Sequence, residues 1–201
     1  MYANLPSFVL GFHGCDKSVT DQIINHKEQL KKSENAYDWL GHGIYFWEND
    51  PYRALNFAKY LKEHPERIKE GATPINEPSV IGAIIDLGHC LNAIEASSLE
   101  IIRNHYELLK ETSIASGKEL PKNRKGRDSN DLLVRDLDCA VIQSIHAYND
   151  QKEERRSYDS VRGMFIEGDE LYPNAGFRDK NHIQICVRNM QCVKGYFLPF
   201  L

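Results

Sequence analysis

Gly41-His42-Gly43-Ile44-Tyr45-Phe46 is the stretch from which the rest of the chain can be read. Two glycines open a short β-branched and aromatic run, the composition of a strand entered through a turn that tolerates little side chain. Working upstream, Ser7 to Phe12 reads as a second strand, and it leads into His13-Gly14, where the glycine permits close approach of backbone or ligand. A helix is expected next. Ser18-Val19-Thr20-Asp21 fits a capping box, and Val19, Ile23, His26 and Leu30 fall on one helical face. Downstream, Asp50-Pro51 sets a capping carboxylate before a proline at the first helical position, and Ala54, Leu55, Ala58 and Leu61 line the face to be buried.

Further along, Val80 to Leu87 is apolar enough for a central strand and is closed by Gly88. The next ~70 residues are too long for a plain connection and carry helical periodicity. Ser97-Ser98-Leu99-Glu100 starts one helix running to Thr112, and Asp131 to His146 supplies another through Leu133, Leu137, Ala140, Val141 and Ile145. A charged turn at Gln151 to Arg156 follows, then a strand from Tyr158 to Ile166 and a loop from Gly168 to Lys180. Ile183 to Arg188 and Val193 to Phe197 end the chain as strands. Strands and helices are interspersed without regular βαβ alternation, so the expected class is α+β. At 201 residues the expectation is a single domain over 1–201, with a helical insertion at 92–150.

Composition excludes more than it assigns. Hydrophobic residues make up 41% and charged residues 27%, ordinary for a globular chain. No apolar run approaches the ~20 residues that span a bilayer, and Met1 to Pro6 lacks the basic start and apolar core of a secretory leader, so a cytoplasmic protein without membrane partners is expected. The net charge of −4 gives no general attraction to nucleic acid. Lys118, Lys122, Arg124, Lys125 and Arg127 form a local basic stretch, read as a solvated loop. Cys15, Cys90, Cys139, Cys186 and Cys192 are odd in number and contain no C-x-x-C pair, against both a disulfide framework and a metal site.

Five segments in order carry a resemblance: Phe12-His13-Gly14, Gly41 to Phe46, Ile81 to Gly88, Tyr158-Asp159-Ser160-Val161 and Gln184-Ile185-Cys186-Val187. Together they resemble the ADP-ribosyltransferase superfamily, in its poly(ADP-ribose) polymerase-like branch with a His-Tyr-Glu signature. The resemblance implies two small antiparallel sheets around a cleft for NAD as substrate, with flanking helices. It implies that His13 bonds the adenosine-side ribose, that the main chain of Gly14 grips the nicotinamide carboxamide, and that Tyr45 stacks on the ring. Gly43, Arg53 and Phe57 would flank the same dinucleotide, with Tyr52 an alternative aromatic. Where the family has Glu, this chain has Gln184, which cannot take a proton at neutral pH. The implied activity is therefore a single ADP-ribose transfer to a protein or nucleic-acid acceptor rather than chain elongation.

Glu167 is the first candidate for the missing acceptor-activating base, ahead of Asp169 and Glu48. Size and the lack of a leader suit an intracellular toxin or anti-phage effector restrained by an antitoxin-like partner, an expectation by analogy. The alternative is a catalytically silent NAD- or ADP-ribose-binding module of the same fold. His42, His182, Trp39 and Trp47 carry weaker claims, divided between contact to adenine and a surface or packing role that weighs at least as much. A rival Cys15–His13 nucleophile shares one strand face but has no evident orienting partner.

Overall fold

The computed structural model describes residues 8–69, 71–126, 130–151 and 154–201. The leader reading at 1–6, the expected strand start at Ser7, Arg127 of the basic stretch and residues 152–153 of the charged turn lie outside them. In chain order, β1 (Phe8–Asp16) runs into α1 (Lys17–Ile24), and β2 (Ile44–Glu48) into α2 (Pro51–Glu63). Then follow β3 (Pro78–Asp86) and the short β4 (Cys90–Asn92). α3 (Ala96–Ser116), the two-residue strands β5 (Asn123–Arg124) and β6 (Val134–Arg135), and α4 (Asp136–Asp150) form the helical middle. β7 (Ser160–Phe165), β8 (His182–Val187) and β9 (Val193–Phe197) complete the α+β arrangement.

Seven strands form one sheet in the order β4-β7-β8-β2-β1-β3-β9, and β5 pairs with β6 apart from it. The expectation of two small antiparallel sheets is corrected in two respects. β4 lies parallel to β7, and the two wings of the sheet are continuous through β1 and β2. That junction is narrow. β1 pairs with β3 from Phe8–Asp86 to Asp16–Pro78, yet meets β2 only at Gly11–Glu48 and Phe12–Trp47.

Alternation along the strands divides the core between two faces. Ile23 of α1 packs with Ile44, Phe46, Ile81, Ile85, Ile185 and Val187 on one side. On the other, α2 brings Ala54 against Phe12, Trp47 and Val80, while α4 brings Ile142 and Ile145 against Leu40, Leu91, Val161 and Cys186.

The helix starts show why the elements begin where they do. Asp50 caps α2 by accepting the Arg53 N–H at 2.8 Å, with Pro51 in the first turn, as the sequence implies. At α1 the cap is Asp16 instead of Ser18. Its carboxylate accepts the Ser18 N–H at 3.0 Å and, through its other oxygen, the N–H groups of Asn76 and Glu77 at 2.8 and 2.9 Å. Burial alone would raise this carboxyl pKa, but the hydrogen bonds from Ser18, Glu77 and Asn76 outweigh it and bring it to about 2. At its other end α1 stops at Ile24, so His26 leaves the helix at φ 56° and Leu30 reaches the core from outside it, short of the expected helical face. The five cysteines are unpaired, and burial pushes the Cys15 thiol up, with Thr20 as its hydrogen-bond partner at 3.3 Å. Burial disfavours the thiolate that a Cys15–His13 nucleophile would need, and the sulfur meets Thr20 rather than His13.

Candidate functional site

Where β1 and β2 part, the imidazole of His13 reaches across to β2, its Nδ1 lying 2.8 Å from the main-chain oxygen of Tyr45. A carbonyl can only accept, so Nδ1 carries the proton and Nε2 of the neutral ring is left as an acceptor. Burial lowers the His13 pKa against the opposing pull of that hydrogen bond, which keeps the ring neutral. The next residue adds to the same edge. Leu10 gives its carbonyl to the Asn49 N–H at 2.9 Å, and main-chain groups of a strand repeat their direction every second residue. Gly14 thus turns its N–H and C=O toward the side that β2 has vacated, beyond the last β1–β2 pair.

The reason for glycine at this position differs from the expected one. A Cβ on Gly14 would stand 2.1 Å from the Ala54 carbonyl oxygen, so α2 occupies the space reserved for a ligand and only the strand edge remains. Gly43 is likewise set by packing, since a Cβ there would lie 2.6 Å from both the Cys186 Sγ and the Val187 oxygen.

Tyr45 and Gln184 share the α2 face of the sheet, as the pairings Tyr45–Cys186 and Trp47–Gln184 require. His13 neighbours the ring of Phe46, at 6.0 Å, and meets Tyr45 through main chain only. The Tyr45 hydroxyl is consumed locally, donating to the Gly41 oxygen at 2.8 Å and accepting the Leu40 N–H at 3.0 Å. Its ring is therefore pinned, and burial keeps the phenol protonated. Gln184 accepts the indole N–H of Trp39 at 2.7 Å through Oε1, which leaves its amino end to donate.

Around Gln184 lies an aromatic face that the sequence reading largely missed. Phe165 meets Trp39 edge-on at 5.1 Å and stacks on His182 at 5.3 Å, and Trp47 lies 6.1 Å from His182 and 5.1 Å from Phe57. The Arg135 guanidinium sits 4.1 Å from the Phe165 ring. The available signal was the i, i+2 spacing of His182 and Gln184, which sets both on one face of β8. Phe57 belongs to this face through Trp47, whereas Tyr52 is exposed.

Of the charged candidates, Arg53, Glu167 and Glu48 are paired. Arg53 donates to Glu167 at 2.6 Å, each side chain about one-fifth exposed, so the two residues nominated separately for cofactor and base hold one another. Glu48 takes both ends of the Arg162 guanidinium, at 2.6 and 2.8 Å. Arg124 of the basic stretch pairs with Asp136 at 2.7 Å. A recess of about 550 Å³ beside the insertion, lined by Ala36, Leu120, Lys122, Arg124 and Cys139 among others, shares no residue with the aromatic face.

No family model matches the chain, and no solved structure matches it. Over 204 aligned residues it is 24% identical to the uncharacterized protein MJ0359 of Methanocaldococcus jannaschii, covering 91% of this chain and 83% of that protein. That relative brings no chemistry with it. Among the described residues, no helix is long and apolar enough to cross a membrane.

Proposed function

We propose that this chain is a mono-ADP-ribosyltransferase, which cleaves NAD and passes one ADP-ribose group to an acceptor macromolecule. The observation that carries the reading is the parted edge of β1 and β2, where a tautomerically fixed imidazole stands beside the outward main chain of Gly14. A carboxamide offers one acceptor and two donors, the complement of one N–H and one C=O from a single residue. The Nε2 of His13 suits a ribose hydroxyl. As the bond between ribose C1′ and nicotinamide breaks, the electron pair leaves with nicotinamide and the sugar becomes electron-poor. Gln184 can hold a ribose hydroxyl but cannot deprotonate the acceptor. The ring beside His13 is that of Phe46, while the Tyr45 ring, pinned by its hydroxyl, lies on the opposite face of β2 together with Gln184.

The test is to incubate the purified protein with labelled NAD in cell extract. Nicotinamide release with label entering one class of macromolecule is expected, and His13→Ala lowers it about tenfold or more. Equal release by His13→Ala removes the assignment. A second reading, a silent NAD-binding module, is favoured by the engagement of Gln184 with Trp39 and of Glu167 with Arg53. Saturable NAD binding without nicotinamide release in any extract would select it. An intracellular toxin or anti-phage role with a restraining partner extends the first reading and is tested by growth arrest on expression that His13→Ala relieves.

A further inference from the structure

Three buried polar atoms of the aromatic face have no hydrogen-bond partner among the described residues: the Trp47 Nε1, the Arg53 Nε and the His182 Nε2. The first two are obligatory donors. The third is an acceptor, because the His182 Nδ1 lies 2.7 Å from the Lys180 carbonyl and must carry the ring proton. His182 is 8% exposed, stacks on Phe165, and stands two residues before Gln184 on the same strand face. Unsatisfied groups of this kind in a native interior call for an occupant. Glu167, the residue expected to activate the acceptor, is committed to Arg53.

From this we infer that His182 is the acceptor-activating base of the transfer proposed above, and that Trp47 and Arg53 orient the incoming group. The inference rests on that reading. In the step, the acceptor's O–H or N–H proton passes to the His182 Nε2, its electron pair forms the new bond to ribose C1′, and the bond from C1′ to nicotinamide breaks with its pair leaving on nicotinamide. A hydroxyl or amine acceptor needs such a base, whereas an ionised carboxylate does not. The groups that bear on the charge of His182 are Arg53 and Asp50 of α2 and Glu167 after β7. Burial lowers its pKa first of all, Arg53 adds to this, and Glu167 and Asp50 oppose it. Burial thus favours the neutral ring, the form that can take a proton.

The experiment measures labelled ADP-ribose transfer by wild type and His182→Gln between about pH 5 and 8. Wild-type transfer falls on the acid side as Nε2 is protonated, and His182→Gln, with its fold checked by circular dichroism, loses transfer ~100-fold together with that acid limb. Transfer by His182→Gln at the wild-type rate, or a wild-type profile flat across the range, overturns the inference while leaving NAD cleavage in place. Mass-spectrometric fragmentation that places the label on an Asp or Glu carboxylate overturns it too. Failure of wild type to release nicotinamide removes the functional reading and this inference with it.

Discussion

Tyr45 illustrates how one side chain divides its work between structure and ligand. Its hydroxyl closes the turn at Leu40 and Gly41 through two hydrogen bonds, so its ring is fixed before any ligand arrives. Tyr45→Phe keeps the ring and removes both bonds, leaving the Leu40 N–H without this acceptor. We expect a loss of about 1–2 kcal/mol in urea unfolding with little change in NAD affinity. A large affinity loss at unchanged stability would assign the hydroxyl to the ligand instead. Gln184 divides in a similar way, with its oxygen on Trp39 and its amino group left over. That contact joins residues 145 positions apart, and no local pattern announces it.

At the scale of elements, what the sequence shows is what depends on near neighbours. α2 follows from Asp50-Pro51 and its spaced alanines, and β2, β3, β8 and β9 follow from β-branched and aromatic runs. The parting of β1 from β2 was not legible, because pairing between strands some thirty residues apart is set by the packing of α2 on β1. The α1 cap was misread for a related reason: two of the hydrogen bonds that favour Asp16 come from Asn76 and Glu77, distant in sequence. β4 is only Cys90–Asn92, too short for a periodic signal. The closeness of α2 and β1 makes a prediction of its own. Gly14→Ala sets a methyl against the rigid Ala54 carbonyl, so α2 must shift, and we expect a cost of about 3 kcal/mol or more with loss of NAD binding. Unaltered stability in that variant would show that the helix does not rest on the strand.

For the whole molecule, buried neutral histidines tie stability to pH. Burial lowers the pKa of His13, His146 and His182, and that of His146 reaches about 4. Both ring nitrogens of His146 are buried without partners among the described residues. Below the unfolded value of ~6.5 the unfolded chain binds more protons than the native one, so stability is full above that pH and falls as pH drops toward the folded value. Over the full window of His146, down to about pH 4, the loss amounts to roughly 3 kcal/mol, of which about 2 kcal/mol falls between about pH 7 and 5. Urea midpoints at those two pH values will differ by the equivalent of that smaller amount. Equal midpoints would contradict this. The same sheet that buries these rings presents the gap between its two wings, and the functional reading depends on that gap receiving a dinucleotide. The most direct measurement follows the amide signal of Gly14 and the ring nitrogens of His13 by NMR as NAD is added. The account predicts that both move together and saturate, and that the Gly14 shift is lost in His13→Ala. Signals that stay fixed while NAD binds elsewhere, or does not bind, would contradict it.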